Sequence, residues 1–134
     1  MTGTLWVVAT PIGNLSDVTS RLAQTLRDCD VVFCEDTRRT RNLLAHLGIS
    51  KPLKSLHEHN EHQREHAVLE ALDRGQSIAM VSDAGTPAIN DPGAHIVRAA
   101  HAAGFRVSPI PGPSALVAAM CVAGFSGPAY FFGF

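Results

Sequence analysis

Segments that favour β-strands alternate five times with helical patterns along this 134-residue chain. The first segment, LWVVAT (5–10), is continuously apolar, as expected of a strand buried on both faces of a parallel sheet. The other predicted strands are 31–34, 54–57, 77–81 and 106–110. Strands that alternate with helices over short links predict one α/β domain with a five-stranded, doubly wound parallel sheet.

Residue types that start or end helices lie between these strands. Short polar residues and proline favour the first turn of a helix, and glycine favours the position just after its end. Asn60 with Gln63 also resembles a capping box. The expected helix starts are Asp17, Thr37, Asn60, Asp91-Pro92 and Pro113. The helix from Thr37 is expected to end at Leu47, before Gly48, and the last three at Gly75, at about Ala103 and at Val122.

Composition limits the partners and the location of the protein. The formal net charge is −1, so a nucleic-acid partner has to contact a local basic patch. Cys29, Cys34 and Cys121 lie in apolar runs without C-x-x-C spacing, which indicates reduced core thiols. There is no signal-peptide pattern, and the longest apolar run, 115–125, is shorter than the ~20 residues of a membrane span. We therefore expect a cytoplasmic protein without a membrane segment.

Aromatic residues crowd the end of the chain, where Tyr130, Phe131, Phe132 and Phe134 fall within the last five positions. An aromatic strand without a polar cap indicates that another part of the protein covers it. We expect residues 1–128 to form one domain and 129–134 to begin a linker or strand into a C-terminal domain.

The loops that follow the predicted strands are the expected ligand site, because open parallel α/β sheets bind ligands beyond the carboxyl ends of their strands. The loops after strands one, four and five are rich in glycine and proline, as in a site that holds a ligand. The five segments read PIGNLSD (11–17), EDTRR (35–39), HEHNE (57–61), SDAGTPAINDPG (82–93) and PGPSA (111–115).

Phosphate is a poor candidate for this ligand. The chain has neither a P-loop nor a G-x-G-x-x-G after its first strand, and the three glycine-rich loops lack lysine. They carry Asp17, Asp83 and Asp91, which would repel a phosphate. An adenosine-type ligand without phosphates, such as S-adenosylmethionine, is compatible with these loops; tight structural turns with aspartate caps are the alternative.

A family resemblance supports the first interpretation. TPIGNLSD, EDTRRTR, LHEHNE, VSDAGTPAINDPG and PIPGPSA, in this order and spacing, resemble the amino-terminal half of the tetrapyrrole-methylase superfamily. The match is best to its small-subunit (16S) ribosomal RNA (cytidine-2′-O)-methyltransferase branch. The resemblance implies an S-adenosylmethionine-dependent, two-domain, homodimeric enzyme that acts on RNA of the small ribosomal subunit. It also implies the sheet order 3-2-4-1-5, with the cofactor between the domains.

The resemblance also implies which residues contact the cofactor. The first and fourth loops here differ from the glycine-rich first loop and G-D-P turn of porphyrin-methylating branches, which favours RNA over the alternative, a tetrapyrrole acceptor. The implied cofactor residues are Pro11, Ile12, Gly13, Asp83, Ala84, Gly85, Thr86, Ser114 and Ala115.

The stretch HEHNEHQREH (57–66) contains two patterns found in metal enzymes. Helical phase places His62 and His66 on the solvent side, whereas His57 and His59 leave the third strand at the ligand edge. A metal-dependent hydrolase centred on His57 and His59 is therefore an alternative, but we predict no metal. A substrate-facing role for His59, Asn60 and Glu61 competes with a simple helix cap.

Three arginines, Arg38, Arg39 and Arg41, lie at the start of the second predicted helix, where they are candidates for contacting RNA phosphates. A solvated helix end is the other interpretation, and a non-catalytic RNA-binding module is a further alternative function. Methylation of a ribose hydroxyl needs a base or strict positioning. Candidate bases are Glu35, Asp36, His59 and Glu61, and the base can equally lie in the expected second domain.

Overall fold

A five-stranded parallel sheet with helices on both faces forms the centre of the protein. A computed structural model describes residues 2–89 and 92–133. The strands are β1 (Thr4–Val8), β2 (Val31–Cys34), β3 (Leu53–Ser55), β4 (Ile78–Met80) and β5 (Arg106–Ile110). The helices are α1 (Ser20–Asp28), α2 (Thr37–Leu47), α3 (Glu61–Asp73), α4 (Ala94–Ala102) and α5 (Ala115–Val122).

The strand order is β3-β2-β4-β1-β5, which confirms the predicted order and the α/β fold class. All pairings are parallel, and Leu5 of β1 pairs with Ile78 on one side and Val107 on the other. The connection after β1 runs across the sheet to β2, and the connection after β4 runs in the opposite direction to β5. The carboxyl ends of β1 and β4 therefore form a topological switch point, where ligands of open α/β sheets bind.

The central strands are buried on both faces because their side chains alternate between two cores. Phe33 and Met80 pack in the core that α3 and α4 cover. Val32 and Ala79, their neighbours in sequence, pack in the core that α1 and α2 cover. Burial of one large apolar side chain such as Phe33 contributes roughly 1.5–3 kcal/mol, so the two cores hold the strand ends in fixed positions.

Two predicted capping contacts are wrong. Thr19, not Asp17, caps α1, since its hydroxyl accepts a hydrogen bond from the N–H of Leu22 at 3.0 Å. Asp17 lies instead in a turn, where its N–H donates to the carbonyl of Asn14. Asn60 precedes α3 but makes no capping hydrogen bond, because its side chain bonds to the preceding loop.

The predicted ends of the helices agree with the structure, whereas α4 and α5 start two or three residues later than predicted. Gly48 ends α2 in the left-handed conformation with φ of +68°, and Gly75 follows the end of α3. Helix α4 starts at Ala94 rather than at Asp91-Pro92, of which Asp91 lies outside the described residues. Helix α5 starts one residue after its cap, Ser114.

The last part of the chain differs from two expectations. Cys29 and Cys34 are buried as predicted, and burial raises the pKa of both thiols, but Cys121 on α5 is exposed. The described part of the chain places no cover over the apolar residues of α5, which explains the difference. Residues 129–133 form no strand, although the Tyr130 and Phe132 rings contact each other at 4.6 Å between centroids. Among the described helices, none has the length and apolar character needed to cross a membrane.

Candidate functional site

Hydrogen bonds join the loops that follow β1, β4 and β5. Thr10 and Gly85 exchange two backbone hydrogen bonds of 3.0 Å, and the Thr10 hydroxyl also lies 3.4 Å from the Gly85 carbonyl oxygen. The Thr86 hydroxyl donates to the carbonyl of Pro113 at 3.1 Å. These contacts hold the three glycine-rich loops as one unit at the switch point of the sheet.

Gly85 lies at the closest approach of these loops. Its φ of +79° is in the left-handed region, which favours glycine. A Cβ atom at this position would lie 3.2 Å from Cγ2 of Ile12. The Ser82 hydroxyl donates to the carbonyls of Ala84 and Gly85, at 3.1 and 3.3 Å, and so tightens the same turn.

An open cleft of about 1180 Å³ lies beyond the strand ends. This volume exceeds what an adenosine-type ligand needs. Seven of the nine implied cofactor residues line it, whereas Pro11 and Gly13 do not. The seven are Ile12, Asp83, Ala84, Gly85, Thr86, Ser114 and Ala115. Their contact with a cofactor stays a prediction.

The candidate bases do not all face this cleft. Glu35, His59 and Glu61 line it, and Asp36 does not. The Asp36 carboxylate instead accepts hydrogen bonds from the backbone N–H of Arg38 at 2.9 Å and from its guanidinium at 3.3 Å. Asp36 is thus engaged as the cap of α2, and the choice among the other three stays open.

The loop between β3 and α3 is held by the side chain of Asn60. Its carbonyl oxygen accepts from the N–H of His57 at 2.9 Å, and its amide group donates to the carbonyl of Ser55 at 3.2 Å. Asn60 therefore shapes the loop that presents His57 and His59 to the cleft. The side chain of Asn60 does not itself line the cleft, and its predicted substrate role is untested.

The cleft is acidic. Glu35, Glu58, Glu61 and Asp83 line it against one arginine, Arg98. Among the described lining residues there is no lysine, as the sequence of the loops indicated. Four carboxylates against one guanidinium favour a cationic ligand over a phosphate.

The three arginines of α2 lie outside the cleft, on the exposed surface beside it. Arg38 forms an ion pair with Asp36 at 3.3 Å, although its side chain is 85% exposed. This hydrogen-bonded pair lowers the pKa of Asp36 and raises the pKa of Arg38. Arg39 and Arg41 are exposed on the same helix, so they are better placed than Arg38 to contact an anion.

Some cleft residues were not singled out from the sequence. Ser82 is the first residue of the loop segment 82–93 after β4, where a serine has no distinctive pattern. Arg98 lies inside α4, away from the loops that the sequence marks. Phe131, from the irregular last segment, also lines the cleft. Thr10 places a polar side chain at the end of a continuous apolar run. This change from apolar to polar is the sequence signal for the contact of Thr10 with Gly85.

The chain is similar to curated ribosomal RNA methyltransferases. It is 57% identical over 122 residues to the ribosomal RNA small subunit methyltransferase I of Xylella fastidiosa, covering 91% of this chain and 45% of that protein. It is 48% identical over 132 residues to the protein of the same name from Haemophilus influenzae, covering 98% of this chain and 47% of that protein. The chain thus spans about half the length of the curated relatives it matches.

A solved structure shares the fold. The uroporphyrin-III-C-methyltransferase of Thermus thermophilus superposes with a TM-score of 0.67 over 92% of this chain and 54% of that chain, at 22% identity. The sequence model of the tetrapyrrole (corrin/porphyrin) methylase family matches residues 4–128, which is nearly the whole chain. The resemblance inferred from the loop motifs is confirmed: the chain belongs to the tetrapyrrole (corrin/porphyrin) methylase family.

Proposed function

We propose that the protein is an S-adenosylmethionine-dependent methyltransferase that modifies RNA of the small ribosomal subunit, at the 2′-hydroxyl of a cytidine. One observation supports the cofactor. The hydrogen bonds Thr10–Gly85 and Thr86–Pro113 join three loops beside an acidic cleft. The identity to curated relatives whose names give ribosomal RNA of the small subunit supports the RNA acceptor, and the cytidine 2′-hydroxyl follows only from the resemblance of the loop motifs.

The residues present suit this cofactor. When bound, S-adenosylmethionine supplies a methyl group from a positively charged sulfonium. Asp83, Glu35 and Glu61 provide negative charge along the cleft, which favours a cation. Ile12 and Leu116 provide apolar surface for an adenine ring, and the absence of a Cβ at Gly85 leaves room for the Ile12 side chain beside this turn.

The acceptor requires an RNA contact beside the cleft. Arg39 and Arg41 are exposed on α2, whose first turn follows the β2 loop that contains Glu35. Phosphate contacts position RNA without reading its sequence, so these arginines orient the strand rather than select the cytidine. Arg38 is less suited because Asp36 already holds its guanidinium.

The chain's own task in the reaction is to orient the ribose hydroxyl and accept its proton. The bound cofactor would supply the methyl group that replaces the hydroxyl proton, so the cleft residues would hold the hydroxyl oxygen in line with that group and take up the proton. Glu35, His59 and Glu61 line the cleft and are the candidate acceptors of the hydroxyl proton in this part of the protein. The homodimer, the second domain and the cytoplasmic location expected from the sequence are part of the same proposal.

A calorimetric titration of S-adenosylhomocysteine into the protein tests the cofactor assignment. We expect saturable binding in the wild type and its loss in Ala84→Trp, because Ala84 is exposed and lines the cleft. Ala45→Trp, an exposed position on α2 that does not line the cleft, is the matched control. Equal binding by all three proteins, or no binding by the wild type, would contradict the assignment.

Methyl transfer from labelled S-adenosylmethionine tests the acceptor. We expect label in the RNA of undermethylated small ribosomal subunits, at a cytidine ribose, and none in a porphyrinoid such as uroporphyrinogen. The reverse result would assign the protein to the small-molecule branch of the family. Binding of the cofactor without transfer to either acceptor would contradict the RNA proposal and leave the cofactor assignment standing.

A further inference from the structure

Two histidines and a glutamate come together between α3 and α4. His62 and Glu65 are on α3, and His95 is the second residue of α4. One ligand atom from each, an imidazole nitrogen or a carboxylate oxygen, lies within 4.8 Å of the other two. His62 is exposed, whereas Glu65 and His95 are half-buried.

The fold explains how residues thirty positions apart meet here. His62 and Glu65 are three residues apart on α3, so both project from one face of that helix. The N-terminus of α4 lies against the same face, since Oε1 of Glu61 accepts a hydrogen bond from the N–H of Gly93 at 3.4 Å. The His62 and His95 rings then meet edge to face, with 5.0 Å between their centroids.

One imidazole nitrogen in the cluster is left without a hydrogen bond. Nε2 of His95 is buried and has no hydrogen-bond partner, although Oε2 of Glu65 is in direct contact with it. If Nε2 of His95 carries no hydrogen, this nitrogen and the carboxylate oxygen both present lone pairs and repel each other unless both bind one cation. A proton or a metal ion satisfies this requirement.

We propose that His62, Glu65 and His95 bind a divalent transition-metal ion of the Zn²⁺ type. Imidazole nitrogens suit Zn²⁺ well, and two histidines with one glutamate form a known three-ligand set that leaves a fourth position for water. At ordinary bond lengths the ligand atoms of a tetrahedral site lie about 3.4 Å apart. Rotation of the exposed His62 side chain would bring its nitrogen toward that distance, and the directly contacting atoms of Glu65 and His95 would have to move apart to it.

Such an ion would cross-link α3 to the first turn of α4. His95 also lines the cleft, so the ion would fix one wall of it. This site differs from both metal patterns of the sequence: of the four histidines in residues 57–66 it uses His62 alone, and it adds His95 from another helix. His66 instead lies 3.5 Å from Glu70 on the exposed side of α3.

The competing explanation is a hydrogen on Nε2 of His95, which this nitrogen donates to Glu65 without any metal. The two explanations differ in what the protein binds. We expect the metal-free protein to take up one Zn²⁺ per chain, and saturating Zn²⁺ to raise the melting temperature by roughly 5–10 °C. A hydrogen-bonded pair predicts neither effect.

Three variants locate the ion. We expect His62→Ala and His95→Gln each to lower the Zn²⁺ affinity at least tenfold and to remove the thermal shift. His66→Ala removes a neighbouring histidine on the same helix and should leave both unchanged. His62 is exposed, so its replacement tests the site even if His95→Gln destabilises the fold.

The outcomes of this titration are distinct. Absence of Zn²⁺ binding by the wild type would favour the hydrogen-bonded pair and overturn the proposal. Binding that is lost in His66→Ala, or retained in His62→Ala, would also overturn it, because the ion would then have other ligands. Co²⁺ in place of Zn²⁺ gives a direct readout, because the visible absorption of bound Co²⁺ depends on its nitrogen and oxygen ligands. We expect this absorption to change in His62→Ala and to stay the same in His66→Ala.

Discussion

The carboxylate of Asp83 accepts a hydrogen bond from the backbone N–H of Asp36 at 3.0 Å, and so joins the loops that follow β4 and β2. Asp83 also lines the acidic cleft. One oxygen therefore holds a neighbouring loop, and we propose that the charge of the group attracts the cationic ligand of the cleft. These two roles can be separated by substitution.

Asp83→Asn is expected to keep the hydrogen bond, through its amide oxygen, and to lose the charge. Its affinity for S-adenosylmethionine should fall roughly fivefold, which corresponds to about 1 kcal/mol, with a smaller effect on S-adenosylhomocysteine, whose sulfur is neutral. Asp83→Ala should lower the affinity for both and reduce the free energy of unfolding by about 1–2 kcal/mol, since the Asp36 N–H loses its partner. Calorimetry and chemical denaturation measure these effects; equal losses of both ligands in Asp83→Asn would argue against a role for the charge.

The Asp36–Arg38 pair predicts a pH effect. The hydrogen-bonded guanidinium of Arg38 lowers the pKa of Asp36 below its ordinary value of 3.8. A carboxyl with a lowered pKa stabilises the fold above its unfolded pKa, and this contribution is lost as the pH falls through the folded pKa. We expect Arg38→Gln to raise the pKa of Asp36 in an NMR titration, whereas Arg39→Gln, at the exposed neighbouring position, should leave it nearly unchanged. If both variants raise it equally, general charge rather than the hydrogen-bonded pair is responsible.

The sheet and much of the cleft could be predicted from the sequence because they depend on local patterns. Buried parallel strands such as β2 are continuously apolar, and their carboxyl ends must share one edge of the sheet. The strand order came from the resemblance, since apolar runs do not say which strands are neighbours.

Other features depend on contacts between distant residues. The helical phase correctly placed His66 on the exposed side of α3, but it could not show that α4 brings His95 against His62. In the same way, the apolar run around Cys121 predicted burial, yet the described part of the chain supplies no cover for α5. Periodicity reveals which face of a helix is apolar, but not which element packs on it.

The start of α1 provides a test of one correction. Thr19→Ala should reduce the free energy of unfolding by about 1 kcal/mol, because the N–H of Leu22 loses its capping hydroxyl. Asp17→Ala should change it by less than ~0.5 kcal/mol, as for an exposed residue without such a contact. Chemical denaturation of the two variants compares them directly. A larger loss in Asp17→Ala would restore Asp17 as the cap.

Gly85 and Gly48 form a matched pair for testing how the packing of Ile12 against Gly85 shapes the cleft. Both have a positive φ, of 79° and 68°, so alanine at either position should cost about 1 kcal/mol of backbone strain. A Cβ at Gly48 meets open space, whereas one at Gly85 meets Cγ2 of Ile12 at 3.2 Å. We therefore expect both variants to lose similar stability, and only Gly85→Ala to lose affinity for S-adenosylhomocysteine, because Ile12 is pushed into the cleft. If Gly85→Ala binds as well as Gly48→Ala, the contact of Gly85 with Ile12 does not shape the ligand site.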